Sequence, residues 1–369
     1  MNALWSRAPG KAVLAGEYAV LEGATALAMA VDRYARVELR ACEPSESRLV
    51  SPQLSQQPLA FRLRAEGQID WAVDQAAYPP LRQTAEWLSS LYLQLCQRFG
   101  EVPPFRLSVD TTDLFAAPVL AGPASTTGKL GLGSSSAVAV ALDAALRRWA
   151  DAPEAGGLDL RALDRLMQPY RRGQGGQGSG IDVVSALCGG LIRFSRRDGD
   201  IDAQRRRLPD GLQLLFVWTG QSTSTPQLLA RFRDWQNRSP SEASRLLEDM
   251  AQCSDAADQA CVAGDAEALQ ACLHRYGGLM GTMGNCMGEP VCGGVHAELR
   301  VQAERLGLAS KPSGAGVGDL SLVAGVDPQA ISRMKDWLEQ RNLTLLPLGL
   351  DVDGVQTGLI DPEAAERPE

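Results

Sequence analysis

The chain has 369 residues, 45% of them hydrophobic and 22% charged, which excludes an extended disordered chain and leaves room for two domains of ordinary size. Against 36 basic side chains stand 44 acidic ones, a net charge of −8. That balance argues against a nucleic-acid-binding surface but allows a small anionic substrate held by a few local cations.

In chain order, "KAVLAGEYAVLEGATALAMAVDRYARVELRA" alternates short apolar runs with turn residues, so residues 1–45 read as a small meander of strands. Glu17 and Glu22 interrupt its apolar run. Neither a signal sequence nor a membrane span is expected there, nor any membrane partner. "FRLRAEG" and "PFRLSVDTT" read as further strands, with a helix between them on the spacing of Leu81, Trp87, Leu88, Leu91 and Leu95. "LFAAPVLAGPASTTGK" reads as a loop. After Ser136 a run of good helix formers begins, with serines able to cap its start and Arg147 and Arg148 suited to its end. "DLRALDRLMQPYRR" is another helix candidate, and "GQGGQGSGIDVVSALCGG" a second glycine-rich entry into a short helix or strand.

"LQLLFVWTG" has the composition of a buried strand. Helices follow in "TPQLLARFRDW", starting at Thr225 with Pro226 in its first turn, and in "SEASRLLEDMAQCSDAADQACVAG" and "DAEALQACLHRYGGLMGTM". "LASKPSGAGVGDLSLVAGV" is a third glycine-rich loop running into an apolar strand. "DPQAISRMKDWLEQRN" is a helix, "LTLLPLGL" a last strand, and 361–369 a disordered tail. Without a regular βαβ rhythm the pattern favours an α+β chain with largely antiparallel sheets. A boundary is expected near 195–210, where "SRRDGDIDAQRRRLPDG" breaks the apolar pattern. The eight cysteines form no C-x-x-C pair and only His274 and His296 accompany them. A structural metal is not expected, and reduced thiols point to the cytoplasm.

Three glycine loops carry chemistry. In "GLGSSSA", Gly131 to Ala137, glycines let backbone N–H groups approach an anion at a helix start. Ser134, Ser135 and Ser136 add hydroxyls, and Lys129 adds a charge. The loop matches neither the Walker nor the dinucleotide fingerprint. Alone, it reads equally as a purely structural cap. "GQGSGID" ends on Asp182, by itself a turn or cap residue. "KPSGAGVGD", Lys311 to Asp319, could be an ordinary loop, and Lys11 in "APGKAVLAGEYAVLEG" an edge lysine.

Taken together and in order, "PGKAVLAGEYAVLEG", "GLGSSSA" and "KPSGAGVGD" resemble the three motifs of the GHMP kinase family, over nearly the whole chain from Pro9 to Asp319. The resemblance implies a two-domain α+β fold: a ribosomal-S5-like N-terminal domain over 1–200 and a ferredoxin-like C-terminal domain over 201–360, with ATP and substrate between them. Within the family, Tyr18 in "GEYAVL", Lys129 before "GLGSS", "GSGIDVVSALCGG" and "VWTGQSTSTPQLL" look like the phosphomevalonate kinases. Arg171 stands where mevalonate kinases place a metal-binding glutamate, and with Arg172 it suits either an anionic environment or plain solvent. The implied reaction is transfer of phosphate from ATP to 5-phosphomevalonate. Mevalonate kinase, diphosphomevalonate decarboxylase or a catalytically silent sensor are the alternatives.

By the same resemblance Lys11 stabilises the transferred group. Lys129, Gly131, Gly133, Ser134, Ser135 and Ser136 hold the ATP phosphates, with Ser135 at Mg²⁺. Tyr18, Ser179, Gly180, Ser222, Ser313 and Gly314 are expected near the substrate, in a monomer or homodimer. Asp182 matches the catalytic aspartate. A phosphate monoester has a second pKa of about 6 and is already anionic at neutral pH, so Asp182 is expected to orient Lys11 rather than to act as a base. Glu17 pairs with a cation or faces solvent. Val317 replaces a usual glycine; a β-branched residue is costly at positive φ, so a differently shaped loop is expected there. The segment before Lys129 is a candidate for the adenine by position.

Overall fold

The computed structural model describes residues 3–361 apart from 52–54, 65–66, 73–78, 101, 117–127, 152–162, 164–165, 168–177, 198 and 224. Most of the loop before Lys129, most of the helix candidate at 159–172, Arg171, Arg172 and the tail from 362 therefore lie outside the described residues.

The first sheet is built around one long strand. β1 (Ala3–Ala15) lies along β2 (Ala26–Ala41), and β2 is long enough to take two partners on its other edge. Arg36–Ala41 pair with β6 (Phe105–Asp110), and Ala26–Met29 with β7 (Leu191–Arg197). The sheet extends through β3 (Arg48–Ser51), β4 (Ser55–Leu63) and β5 (Ile69–Trp71) to nine strands among the described residues. All its pairings are antiparallel except β3 with β6. The Pro9–Gly10 step is a register irregularity in β1. Proline is tolerated there because the last strand, β13 (Gln356–Leu359), covers the outer edge of β1 only at residues 4–7.

Three helices that begin before residue 190 matter for the site. α1 (Pro79–Phe99) buries Trp87, Leu88, Leu91, Tyr92 and Leu95, the face its spacing requires. α2 (Ser134–Trp149) is alanine- and valine-rich nearly all round, and accordingly is buried against β1 and β2. α3 (Ile181–Cys188) packs on the same layer and settles the second glycine-rich entry as a helix.

The charged stretch read as a domain boundary is a hairpin. β7 turns into β8 (Asp200–Arg206), whose side chains alternate between half-buried and exposed as befits an edge strand. Polarity there marks an edge, and the first sheet runs past residue 200. It also recovers the far end of the chain, because β13 (Gln356–Leu359) returns to β1. A cut at 200/201 therefore leaves strands of the first sheet on both sides.

The second sheet has the order β10-β11-β9-β12 and is antiparallel throughout. β9 (Gln213–Trp218) leads into α4 (Thr225–Arg238), α5 (Pro240–Ala263), α6 (Ala266–Met287) and α7 (Val295–Arg305). β10 (Ala309–Ser313) and β11 (Leu320–Gly325) follow, then α8 (Pro328–Gln340) and β12 (Thr344–Leu346). Leu215, Val217 and Val323 pack with Leu299 of α7 and Ile331 and Met334 of α8. Phe216, Leu322 and Ala324 face the main core, which includes Leu273 and Met280 of α6. Covering on both faces explains why β9 and β11 are apolar without alternation. The last strand is shorter than "LTLLPLGL" suggests, because Pro347 cannot continue the ladder.

Candidate active site

A cavity of about 470 Å³ opens where the two sheets' loops meet. Its walls carry Lys11 and Val13 of β1, Glu17 and Tyr18 just beyond it, Gln83 of α1, and Lys129 to Ser135 apart from Leu130. Ser179 and Asp182 close one side; Thr223, Gly314 and Asp319 close the other.

The start of α2 is glycine-led. Gly133 at the N-cap has φ 74° and contributes no side-chain cap, and Gly131 has φ 77°. The serines expected to cap it do not: Ser136 donates back to the Gly133 carbonyl at 2.7 Å, and Ser135 donates to Gln83 Oε1 at 3.3 Å. First-turn N–H groups have no intrahelical acceptor, so this end of a buried helix presents donors and a positive dipole to the cavity. Lys11 lies beside it. Its N–H donates to the Leu132 carbonyl at 2.8 Å, and a Cβ placed on Gly133 would sit 3.3 Å from Lys11 Cγ and 3.4 Å from Cε.

Asp182 sits in the first turn of α3, half-buried, with Oδ1 accepting from the Val183 N–H at 3.0 Å. Gly180 ahead of it has φ 94°, and a Cβ there would meet Met167 Cε at 2.4 Å. That glycine serves helix entry and packing. It does not line the cavity, whereas Ser179 does.

The third loop is held from several directions. Asp319 donates its N–H to Gln221 O at 2.6 Å and accepts on Oδ1 from the Thr223 N–H at 3.1 Å. Burial pushes its carboxyl up, while the Thr223 N–H and the charges of Lys11 and Lys129 pull it back. Tyr18 donates its hydroxyl to Ala315 O at 2.6 Å and packs its ring at a tilt against Phe232. Val317 takes φ 69° with its N–H on Val291 O at 2.9 Å. The valine thus adopts the region it was expected to avoid, fixed there by Val291, and the strain is of order 1–3 kcal/mol.

Behind the loop, buried His296 holds Gly318 O through Nε2 at 3.1 Å. Burial is the main reason its pKa falls to about 4 from 6.5. The unfolded chain therefore takes up a proton between pH 6.5 and 4 that the folded protein refuses, and stability drops as pH falls through that window. The loss reaches on the order of 3 kcal/mol by pH 4. Urea unfolding at pH 7 and 4.5 is expected to reveal it, and His296→Gln to flatten the slope. An unchanged slope in that variant would assign the acid sensitivity elsewhere.

The structure thus brings Lys11, Tyr18, Lys129, Gly131, Gly133, Ser134, Ser135, Ser179, Asp182 and Gly314 to one cavity. Four other expected site residues stand back from it. Ser136 and Gly180 shape helix starts. Ser222 donates to the Lys129 carbonyl at 3.1 Å, and buried Ser313 accepts from the Val13 N–H at 2.9 Å. Glu17, left between solvent and a cation, pairs with Lys311. Gln83 and Asp319 also line the cavity without having been singled out. Gln83 lies fifty-two residues before Ser135, and no local pattern marks it. Asp319, with φ 58° after a glycine, had only its place at the end of a glycine loop as a signal.

In this α+β protein the two sheets meet at a cavity edged by glycine-rich turns, two lysines and a glycine-led helix start. The GHMP kinase N-terminal domain matches residues 91–190. The phosphomevalonate kinase of Streptomyces sp. (strain CL190) is 28% identical, over 94% of this chain and 97% of its own. A mevalonate kinase of Archaeoglobus fulgidus is 26% identical, over 84% and 88%. The fold matches Streptococcus pneumoniae phosphomevalonate kinase in complex with phosphomevalonate and AMPPNP at a TM-score of 0.75 and 20% identity, over 95% of this chain and 100% of that one. Residues 91–190 thus match a GHMP kinase N-terminal domain, and the chain as a whole is similar to phosphomevalonate and mevalonate kinases.

Proposed function

We propose that the protein transfers the γ-phosphoryl group of ATP to 5-phosphomevalonate, giving 5-diphosphomevalonate and ADP. The observation that carries this reading is the pairing of Lys11 and Lys129 with the start of α2 around one cavity, both lysines within electrostatic reach of Asp319. Two cations and a helix start suit two phosphate-bearing ligands better than one. The near full-length likeness to a phosphomevalonate kinase supports the same acceptor. The β-α-β-β-α-β path of the second sheet supports the ferredoxin-like part of the fold.

Phosphoryl transfer is mainly positioning and charge stabilisation. The α2 N–H groups and Lys129 hold the ATP phosphates, and the Lys11 ammonium donates to the group in transit. Asp182 orients Lys11. The acceptor's attacking oxygen is already anionic near neutral pH, so no base is required. A magnesium ion would be held by the Ser135 hydroxyl and the Asp182 carboxylate, hard oxygen donors that both line the cavity, since this ion takes few protein ligands. Such an ion would supply neutralisation of phosphate charge.

The likeness to a mevalonate kinase over 84% of this chain favours mevalonate as the second reading. ADP release measured with 5-phosphomevalonate, mevalonate and galactose separates the two. Turnover is expected on the first alone. Turnover on mevalonate but not on its phosphate overturns the proposal, and ligand binding without turnover on any acceptor favours a sensor.

A further inference from the structure

The edge of β1 facing away from β2 is shared among three elements. Residues 4–7 pair with β13, Lys11 N–H reaches Leu132 of the α2 loop, and Val13 N–H reaches Ser313 of β10. Beneath that seam lies an ion pair with almost no exposure. Lys311, fully buried in β10, donates to Glu17 Oε1, to Pro312 O at 2.6 Å and to Val13 O at 3.4 Å. Its three donors thus meet three acceptors. Glu17 Oε1 also accepts from the Gly314 N–H at 3.3 Å, and the Tyr276 hydroxyl donates to Glu17 O at 2.8 Å.

Two features argue that this pair does more than stabilise. Removing two charges from water is so costly that a well-packed apolar pair is often at least as stable. And Tyr18, next in the chain, is held at φ 63°, a strained conformation that persists only where its surroundings over-determine it. What the pair touches is the turn at Gly314 and the end of β1. A Cβ on Gly314 would lie 3.8 Å from Lys11 Nζ. The strand that carries Lys11 and the loop that borders its ammonium are thereby tied to one buried carboxylate.

We propose that Glu17 and Lys311 are positioning residues that set the Gly314 turn against the Lys11 ammonium, and so fix where Lys11 meets the transferred group. This rests on the phosphoryl-transfer reading of the cavity. Two double variants test it. E17L/K311M removes both charges and the acceptor for the Gly314 N–H. E17Q/K311M removes the charges but keeps an amide oxygen for that N–H. Both are expected to melt within a few degrees of wild type and to bind ATP within about twofold, since among the described residues no hydrogen bond joins the segment before α2 to the pair. E17L/K311M should lose kcat by on the order of 10²-fold, the cost of misplacing reacting groups by about 1 Å. E17Q/K311M should recover most of it. Equal kcat in wild type and a folded E17L/K311M overturns the proposal. An independent arm needs neither turnover nor a variant: amide hydrogen exchange of the unmodified protein. Gly314 is expected to exchange as slowly as the flanking strands β10 and β11, and exchange at open-loop rates overturns the tie. If no acceptor is turned over but Gly314 is protected, the reaction assignment fails while the tie stands.

Discussion

Lys11→Met is expected to lower kcat by on the order of 10²- to 10³-fold, the effect of removing one preorganised donor from a developing charge. The Lys11 stem packs close to Gly133, and methionine keeps most of that apolar length, so the change removes charge rather than shape. Fold and ATP affinity should survive: the backbone bond from Lys11 N–H to Leu132 O does not involve the side chain, and Lys129 and the α2 N–H groups remain. Steady-state kinetics with a binding measurement for ATP separates the two effects. A variant whose ATP affinity collapses while kcat holds would place Lys11 on the nucleotide instead. The companion change Asp182→Asn tests orientation against base catalysis. If Asp182 orients Lys11, the variant is slow at every pH. If raising the pH restores a rate lost with the carboxylate, Asp182 was a base.

The second large effect is expected from Gly131→Ala. A Cβ there would lie 2.4 Å from Asp319 Cβ and 2.8 Å from its Cγ, at a backbone φ of 77°. Asp319 has little room to retreat, because its N–H is bonded to Gln221 O and its carboxylate to the Thr223 N–H. The loop at 130–133 must give way, and the helix start loses its aim at the cavity. The KM for ATP should rise at least tenfold, on the scale of misplaced binding groups, with a melting temperature lower by several degrees. Gly190→Ala is the control. Its φ is 76° but no atom of the described residues lies within 4 Å of the added carbon. It should lose stability to backbone strain alone and leave the KM for ATP unchanged. If both variants behave alike, strain and not the Asp319 contact governs the loop.

Much of the fold was legible locally. The α1 face, the buried α2, and the unalternating β9 and β11 all follow from spacing that maps directly onto which side of an element is covered. Where the reading failed, the reason is non-local. β10 reads as loop because it contains Lys311 and Pro312, and only the Glu17 carboxylate 294 residues away makes a buried lysine tolerable there. β13 was invisible because the short segment "QTGL" has no strand signature of its own; the free edge of β1 recruits it. The hairpin β7–β8 has the polarity of a linker because edge strands and linkers are polar for the same reason, contact with water.

The sequence by itself determined the chemistry available: three glycine-rich turns in order, a lysine on the first strand, serines at a helix start, an aspartate at another. Those properties are local, since a glycine's backbone freedom and a side chain's charge do not depend on distant partners. Tertiary structure decided which of these groups share a cavity. It drew Gln83 and Asp319 into the wall, withdrew Ser222 and Ser313 to hold backbone, and buried Glu17 against Lys311. Those outcomes depend on how β1 divides its outer edge among three elements. No window of sequence encodes that, because a strand's hydrogen-bonding edge is the same whatever side chains it carries.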